Sequence, residues 1–252
     1  MFQKSCLVLL LAASLPTLAT DGYFSMGYGT ASKGMGGSGV ALPLDALSPA
    51  SNPASLGFLG SRFDLGVAWF SPRRDYEVKG NPSMAPGTFP LTPGKVESGS
   101  ETFIVPSLGM NWRINERSAL GVAIYGNGGM NTDYDASVFY GGKTGVNLSQ
   151  LFIAPTYAHT INEQHAVGVS AVFAYQQFEA KGLSMFAGYS SDPSNLTNRG
   201  KDSSMGCGLR IGYQGHLTPL FSVGASYQTR TRMGKLDKYK GLFAEKGGFD
   251  IP

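Results

Sequence analysis

The stretch 114–122 reads INERSALGV, and two later stretches, INEQHAVGV at 161–169 and LTPLFSVGA at 217–225, repeat its plan. In each, an aliphatic residue opens a short turn, and an aliphatic residue followed by glycine returns at the same offset. The residues before the first two turns also match, with FIVP at 103–106 and FIAP at 152–155. A strand, a tight turn and a second strand repeated in this way predict a series of β-hairpins.

The segments around these turns alternate with a period of two. In 62–70, 206–214 and 221–230 the odd positions are mostly apolar, whereas the even positions are small or polar apart from Phe70. Adjacent side chains of a strand point to opposite faces, so each strand has one apolar face. We predict seven strands, at 61–78, 101–114, 116–127, 146–161, 164–181, 203–217 and 220–233. A soluble sandwich shows the same alternation, so the connections must decide between the two.

The connections differ in length at the two ends of the strands. Residues 79–100, 127–147 and 182–203 form long segments rich in Gly, Ser, Asn, Asp and Pro, whereas the repeated turns are short. This asymmetry is typical of outer-membrane barrels. Aromatic residues are expected at both membrane interfaces. Candidates are Trp112, Tyr157 and Tyr213 near the short turns, and Trp69, Tyr125, Tyr175 and Tyr227 toward the long loops. The predicted fold class is all-β, a transmembrane antiparallel β-barrel in the outer membrane of a Gram-negative bacterium.

The composition excludes several other classes of protein. The 35 glycines disfavour a helical protein, because glycine weakens helices. The net charge of +3 is spread along the chain, without the basic patch that nucleic acid requires. Residues 1–19 have the basic start and the short apolar run of a signal peptide. Its removal leaves Cys207 as the one cysteine, so an internal disulfide is not expected.

Seven strands are too few and odd in number for a single-chain bacterial barrel. An open sheet in lipid would also leave unpaired backbone groups. The sequence therefore predicts the N-terminal part of a longer barrel, and assembly from several chains is the alternative.

The segment 20–60 lacks the strand period and is longer than a barrel needs before its first strand. Larger barrels often hold such a segment in the lumen as a plug. The expected division is a signal peptide at 1–19, a lumenal hatch at 20–60 and the barrel at 61–252. Glycines 34, 36 and 39 fit a dinucleotide-binding spacing, but the strand that this motif requires does not precede them.

The hatch carries GMGGSGVA at 34–41, Asp45-Ala46 and NPAS at 52–55. In order and spacing it resembles the hatch of the FadL/OmpP1/TodX family of outer-membrane transporters of hydrophobic compounds. Residues 238–245 and 248–252 also resemble the fourth outer loop of that family, although Ser55 replaces a glycine found in many members. The resemblance implies a fourteen-stranded barrel. It also implies capture on outer loops, passage through a lumenal pocket and hatch-gated exit beside a kinked third strand.

The first functional hypothesis is the uptake of hydrophobic small molecules, above all long-chain fatty acids, with aromatic hydrocarbons as an alternative within the same family. The second is a general diffusion porin or a structural surface barrel. An enzyme is disfavoured, because His159, His165 and His216 flank the short turns and no Ser/His/Asp set assembles. We expect no cofactor and no metal, with His159 and His165 as solvated turn residues. The expected partners are the bilayer and a hydrophobic ligand, with a monomeric full-length protein.

Candidate ligand-binding residues fall in three groups. The predicted register places Phe70, Phe103 and Phe152 in the lumen as walls for an acyl chain. It places Arg210, Arg230 and Arg232 there as well, where they either bind a carboxylate or form salt bridges with acidic residues. Leu242, Phe243 and Phe249 suggest a capture surface in an outer loop, or packing against a neighbouring loop.

Candidate gating residues come from the hatch and from the third strand. The resemblance implies a hatch role for Gly36, Gly37, Asn52, Pro53 and Ala54. Gly126, Gly128 and Gly129 lie at the predicted end of the third strand. Glycine within a strand often marks a bulge, so these three indicate either the lateral opening or an ordinary strand end.

Overall fold

The computed structural model describes residues 24–88 and 90–252, so the predicted signal peptide 1–19 and residues 20–23 lie outside the described residues. The strands are Arg62–Phe70 (β1), Asp75–Val78 (β2), Gly94–Glu97 (β3), Phe103–Arg113 (β4), Ser118–Tyr134 (β5), Thr144–Asn162 (β6), His165–Lys181 (β7), Asp202–Thr218 (β8), Phe221–Gln228 (β9) and Arg232–Met233 (β10). A short α-helix is Thr30–Gly34 (α1), and Ala244–Gly247 forms a turn in which Glu245 and Lys246 have positive φ angles. Turns of 3-10 type lie at Ser48–Ala50, Pro53–Gly57, Ser184–Tyr189, Pro193–Asn195 and Asp237–Tyr239. In the described part of the chain, no helix is long and apolar enough to cross a membrane.

The main sheet is antiparallel and follows the order β1-β4-β5-β6-β7-β8, with β9 and β10 both paired to β8. Because β9 and β10 are successive parts of one interrupted strand, the sheet has seven strand positions, as the sequence predicts. The short turns 114–117, 163–164 and 219–220 join β4 to β5, β6 to β7 and β8 to β9. The three repeated stretches are therefore the three tight hairpins.

Three of the predicted strand boundaries are wrong. The first strand ends at Phe70 instead of residue 78, because Pro72 lacks the N–H that a ladder needs. Residues Asp75–Val78 instead form β2, which pairs in a separate hairpin with β3 from the predicted long loop 79–100. The third strand continues past residue 127 to Tyr134, which shortens the next connection to 135–143. The last strand is interrupted at 229–231.

The two faces of the sheet differ as a membrane-embedded wall requires. On β1 the side chains of Phe63, Leu65, Val67 and Trp69 are exposed, with Trp69 at 73 %. The opposite face of the sheet carries glycines, alanines, polar residues and a few aromatic rings, and much of it is buried beneath the N-terminal segment. A soluble sandwich buries its apolar face, so this arrangement fits lipid on the outside of the sheet.

The predicted aromatic girdle is partly wrong. Trp112, Tyr157, Trp69 and Tyr227 are exposed on the outward face. Tyr125, in contrast, is only 2 % exposed and stacks on Phe152 on the inner face. Odd positions of β5 point inward, so Tyr125 belongs to the lumen and not to an interface.

The described part of the hatch, residues 24–60, lies inside the curve of the sheet. Its second 3-10 turn, Pro53–Gly57, contacts β5, β6, β7 and β8, and the backbone N–H of Ala46 donates to Asp64 of β1. An apolar cluster joins the hatch to the wall through Leu47, Ala50, Ala123, Tyr125, Phe152, Ala154, Val172, Ala174 and Ile251. The sheet thus wraps around the hatch, and the core lies between them.

Candidate functional site

The repeated aliphatic–glycine pair forms the seat of the hatch. Each of its glycines faces inward, where a methyl group in place of hydrogen would come within 3.0 Å of a hatch atom. A Cβ on Gly121 would lie 3.0 Å from Leu56 Cδ1, and one on Gly168 would lie 2.6 Å from the nitrogen of Ala54. A Cβ on Gly224 would overlap the carbonyl oxygen of Val40. The internal repeat of the sequence therefore provides room for close backbone approach.

Asn52 ties the hatch to itself and to the wall. Its fully buried side chain caps the second 3-10 turn, since Oδ1 accepts from the N–H of Ala54 at 3.0 Å. Its Nδ2 donates to the carbonyl of Val40 at 2.7 Å and to the carbonyl of Tyr213 on β8 at 2.9 Å. Gly212 leaves the space that this side chain fills. Removing this one side-chain amide would leave three backbone groups without their hydrogen-bond partner.

A second attachment joins the hatch to β1. Asp64 accepts the N–H of Ala46 at 2.8 Å and pairs with Arg62 at 2.6 Å. The neighbouring Asp45 accepts the N–H of Leu47 at 2.9 Å, and its burial raises the pKa of its carboxyl above the usual value. Gly36 and Gly37 lie elsewhere, at the end of α1, where both adopt positive φ angles.

The ladder between β4 and β5 stops short of the start of β4, and we call this unpaired stretch of the wall the lateral window. The last pair is Ser107 with Tyr125, and no pair in the described residues joins 103–106 to 126–132. Farther from the short turns the window closes again. There Ser98 forms a β-bridge with Tyr134, and the N–H of Gly99 donates to the backbone carbonyl of Asp133 at 2.8 Å. Because the short turns mark the periplasmic end, the window lies in the outer half of the sheet.

The predicted glycines of the third strand form the edge of this window. The register of β5 against β6 shifts between Asn127 and Met130, so Gly128 and Gly129 together oppose a single residue, Ser149. The shift is a β-bulge inside a strand that continues to Tyr134, so these glycines do not lie at its end, and their part in a lateral opening stays a prediction. A Cβ on Gly126 would lie 3.2 Å from the Val105 side chain, so these two residues are in contact at the edge of the window nearest the short turns.

Aromatic side chains line the inner side of the window. Tyr125 and Phe152 stack with their ring centroids 5.2 Å apart. Two hatch rings cover them, Phe24 at 5.9 Å from Phe152 and Tyr28 at 4.3 Å from Tyr125. These separations are typical of favourable aromatic pairs. The lining is apolar and suits a hydrophobic ligand.

A chain of buried amides runs across four strands above this aromatic group. The Nδ2 of Asn127 on β5 donates to Gln150 on β6 at 3.3 Å, and Gln150 donates to Gln176 on β7 at 3.3 Å. Gln176 donates to Ser204 on β8 at 3.0 Å and to the carbonyl of Phe249 at 3.1 Å. At the other end, Asn127 accepts the N–H of Ser25 at 3.2 Å. We call the four wall residues, Asn127, Gln150, Gln176 and Ser204, the amide chain.

The amide chain was missed from the sequence, although a signal for it exists. Gln150 and Gln176 lie at nearly equal distances from the tight turn 163–164, so hairpin pairing alone places them opposite each other. Both also fall on the face that alternation assigns to the lumen.

Replacing Gln176 by leucine is expected to destabilise the protein by about 2–4 kcal/mol, because it leaves several buried polar groups without a partner. The measurement is the thermal unfolding midpoint in detergent, followed by circular dichroism. Gln177→Leu is the matched control, because the neighbouring amide lies outside the amide chain and bonds the Tyr175 hydroxyl. Equal midpoints for the two variants would show that the amide chain adds no stability.

A second apolar cluster lies on the outer side of the amide chain. It joins the segment 236–251, here called the outer segment, to β6 and β7. Phe178 contacts the ring of Tyr239 at 5.0 Å and that of Phe243 at 4.9 Å, and Phe243 stacks on Phe249 at 5.0 Å. Leu242, Phe243 and Phe249 are half-buried in this cluster. They thus pack on the wall and also keep exposed apolar surface.

The three predicted phenylalanine walls do not form one site. Phe152 lies in the aromatic group behind the window. Phe70 and Phe103 face each other across β1 and β4 with centroids 6.2 Å apart, and Arg74 lies over the Phe103 ring. Neither belongs to the buried cluster that contains Phe152.

The predicted placement of the arginines holds for Arg210 alone. Its buried guanidinium donates to the hatch carbonyl of Pro49 at 3.4 Å and to the side chain of Gln228. Within residues 24–88 and 90–252 no carboxylate pairs with it. Arg232 pairs with Cys207 on the outward face, because the break at 229–231 adds one residue and shifts the alternation. Arg230 lies in that break and is exposed.

The histidines lie near the short turns, as expected. His165 bonds the Tyr213 hydroxyl at 2.7 Å, and His216 bonds Ser222 at 2.7 Å. His159 is 3.5 Å from the Ser118 hydroxyl. In the described residues no three His, Cys, Asp or Glu side chains lie close enough to hold a metal ion.

Comparison with known proteins gives a family and a fold. The model of the outer membrane transport protein family OMPP1/FadL/TodX matches residues 18–248. The toluene transporter TodX of Pseudomonas putida superposes with a TM-score of 0.64 at 20% identity, over 87% of this chain. A FadL homologue of Pseudomonas aeruginosa superposes with a TM-score of 0.53 at 18% identity, over 83% of this chain.

The chain spans 58% of the length of the TodX structure and 53% of that of the FadL homologue. At these identities the structures show the shared barrel fold alone. No functionally curated protein matches the sequence significantly.

Proposed function

The chain belongs to the OMPP1/FadL/TodX family of outer membrane transport proteins, and from this membership we propose that it carries hydrophobic small molecules across the outer membrane. Members of this family are outer-membrane proteins of Gram-negative bacteria. The lateral window carries the proposal, because an apolar ligand that leaves through the wall enters the bilayer and avoids the aqueous periplasm.

The proposed route uses the two apolar clusters in turn. A ligand first binds the exposed apolar surface of the outer segment, where Leu242, Phe243 and Phe249 meet. It then passes the amide chain and reaches the rings of Tyr125 and Phe152. A shift of Phe24 and Tyr28, which cover these rings, would admit the ligand to the window.

Two substrate classes fit this route differently. Long-chain fatty acids, the first expectation from the sequence, need a partner for their carboxylate, and Arg210 is already engaged beneath the hatch. Aromatic hydrocarbons need none, and the four rings behind the window supply stacking partners. The lining therefore favours neutral ring compounds.

The test is uptake by cells that produce the protein, measured with labelled toluene, labelled oleate and labelled arabinose. We expect saturable uptake of toluene, which cells without the protein do not show, and competition by oleate if both share the route. Arabinose controls for an open pore. Non-saturable arabinose uptake without uptake of either hydrophobic compound would identify a diffusion porin instead.

A further inference from the structure

The amide chain has a fixed direction, which two backbone groups determine. The N–H of Ser25 can only donate, so the atom of Asn127 that faces it is the acceptor Oδ1. The carbonyl of Phe249 can only accept, so the atom of Gln176 that faces it is the donor Nε2. Every amide between them points its nitrogen toward β8. The end of the chain beside the window therefore presents an acceptor.

Two adjacent hatch residues, Phe24 and Ser25, contact this end of the amide chain. Phe24 places its ring against Phe152, and the next peptide group places the N–H of Ser25 on Asn127. An aromatic ring and a hydrogen-bond donor thus occupy adjacent positions on the wall. Both come from one short stretch of chain at the start of the described hatch.

A simple molecule has the same arrangement of groups. In the hatch, the bonds from the ring to the donor pass through Cβ, Cα and the carbonyl carbon to the nitrogen. In 3-phenyl-1-propanol, the bonds from the ring to the hydroxyl oxygen pass through the same number of carbons. The hydroxyl group is a donor, as the backbone N–H is.

We propose that Phe24 and Ser25 occupy a binding site for aromatic alcohols, in which the ligand ring packs on Tyr125 and Phe152 and its hydroxyl group donates to Asn127 Oδ1. This inference rests on the proposed function and specifies its substrate class. Asn127 is the specificity-determining residue, and the hatch start is an internal competitor that the ligand displaces.

The chemistry of Asn127 explains why the ligand is an aromatic alcohol. When Ser25 withdraws, a buried acceptor at the bulge is left without a donor, which is unfavourable. A hydrocarbon leaves it unsatisfied, and an ionised carboxylate brings only acceptors. A neutral hydroxyl group on an aromatic compound satisfies both the acceptor and the ring surface.

The test compares three ligands of similar shape: 3-phenyl-1-propanol, its methyl ether and butylbenzene. Binding to the purified protein in detergent is measured by calorimetry, with titrations into empty micelles subtracted. We expect the alcohol to bind roughly tenfold more tightly than the ether, the factor that one net hydrogen bond supplies. Butylbenzene is expected to bind no better than the ether.

Variants then test each side of the site. Asn127→Leu should reduce the ratio of alcohol to ether affinity to about one, because it removes the acceptor. Gln214→Leu is the matched control, since this fully buried lumenal amide bonds Ala41 of the hatch instead, and the ratio should persist. Ser25→Pro removes the competing N–H, so the alcohol should bind several-fold more tightly. Circular dichroism checks that each variant folds.

Equal affinities of the alcohol and the ether for the unmodified protein would overturn the inference, as would a ratio that survives Asn127→Leu. In either case, saturable toluene uptake would leave the proposed transport function intact. If no ligand of the series binds and toluene is not taken up, both the inference and the proposed function fail.

Discussion

Replacing Gly168 by valine is expected to unseat the hatch and to make the protein permeable to small hydrophilic solutes. A side chain at this position of β7 meets the backbone of Pro53 and Ala54, which cannot rotate away as a flexible side chain would. Overpacking of this kind costs about 1–3 kcal/mol, which shifts the balance between seated and released hatch by roughly 5- to 150-fold. The measurement is the rate of arabinose entry into liposomes that contain the protein.

Gly60→Val is the matched control for this experiment. Gly60 lies at the end of the same hatch, its φ is not in the left-handed region, and a Cβ there meets no atom within 4 Å. Its arabinose permeability should equal that of the unmodified protein. If Gly168→Val is equally tight, the hatch tolerates an added side chain and the glycine seat does not hold it in place.

The hairpins and the faces of the sheet were predictable because their causes are local. Each tight turn is encoded by its own residues, and it sets the register of the two strands that it joins. Alternation then assigns every side chain to one face, which correctly placed Trp69 outside and Arg210 inside. Neither step requires knowledge of distant parts of the chain.

Errors appeared where one extra residue interrupts the alternation. A bulge shifts all following side chains to the opposite face, and the two-residue period alone does not reveal it. Arg232 was assigned to the lumen for this reason, although it pairs with Cys207 on the outward face. Tyr125 was misassigned for another reason, because an aromatic residue near a loop resembles a girdle residue even when its parity points inward.

The glycine seat and the amide chain could be recognised only in part. The aliphatic–glycine repeat was visible, but its purpose depends on hatch atoms more than a hundred residues away for Gly168 and Gly224. The amide chain joins four strands and ends on Ser25 and Phe249, at opposite ends of the described chain. Such contacts form only when the hatch is packed against the sheet, and no local sequence pattern specifies them.

Deleting Gly129 is expected to close the lateral window and to abolish most uptake of hydrophobic compounds. The deletion removes the extra residue of the bulge, so Met130 still faces Leu148 while β5 continues without a register shift. A straightened β5 can extend its ladder with β4 beyond the pair of Ser107 and Tyr125, where Pro106 contributes its carbonyl alone. Two added backbone hydrogen bonds, each worth roughly 1 kcal/mol net, would reduce the open population about 30-fold.

The effect on transport separates the window from the rest of the route. Uptake of labelled toluene should fall by about the same 30-fold factor, whereas binding of ligand to the outer segment, which the deletion does not touch, should persist. Deleting Gly80, a loop glycine with no atom near its Cβ position, controls for the loss of one residue. If toluene uptake in the Gly129 deletion equals that in the Gly80 deletion, the ligand does not leave between β4 and β5. A lateral exit requires that binding is retained while uptake is lost. Uptake of a ligand that moved through the lumen past the hatch would not depend on the gap between β4 and β5.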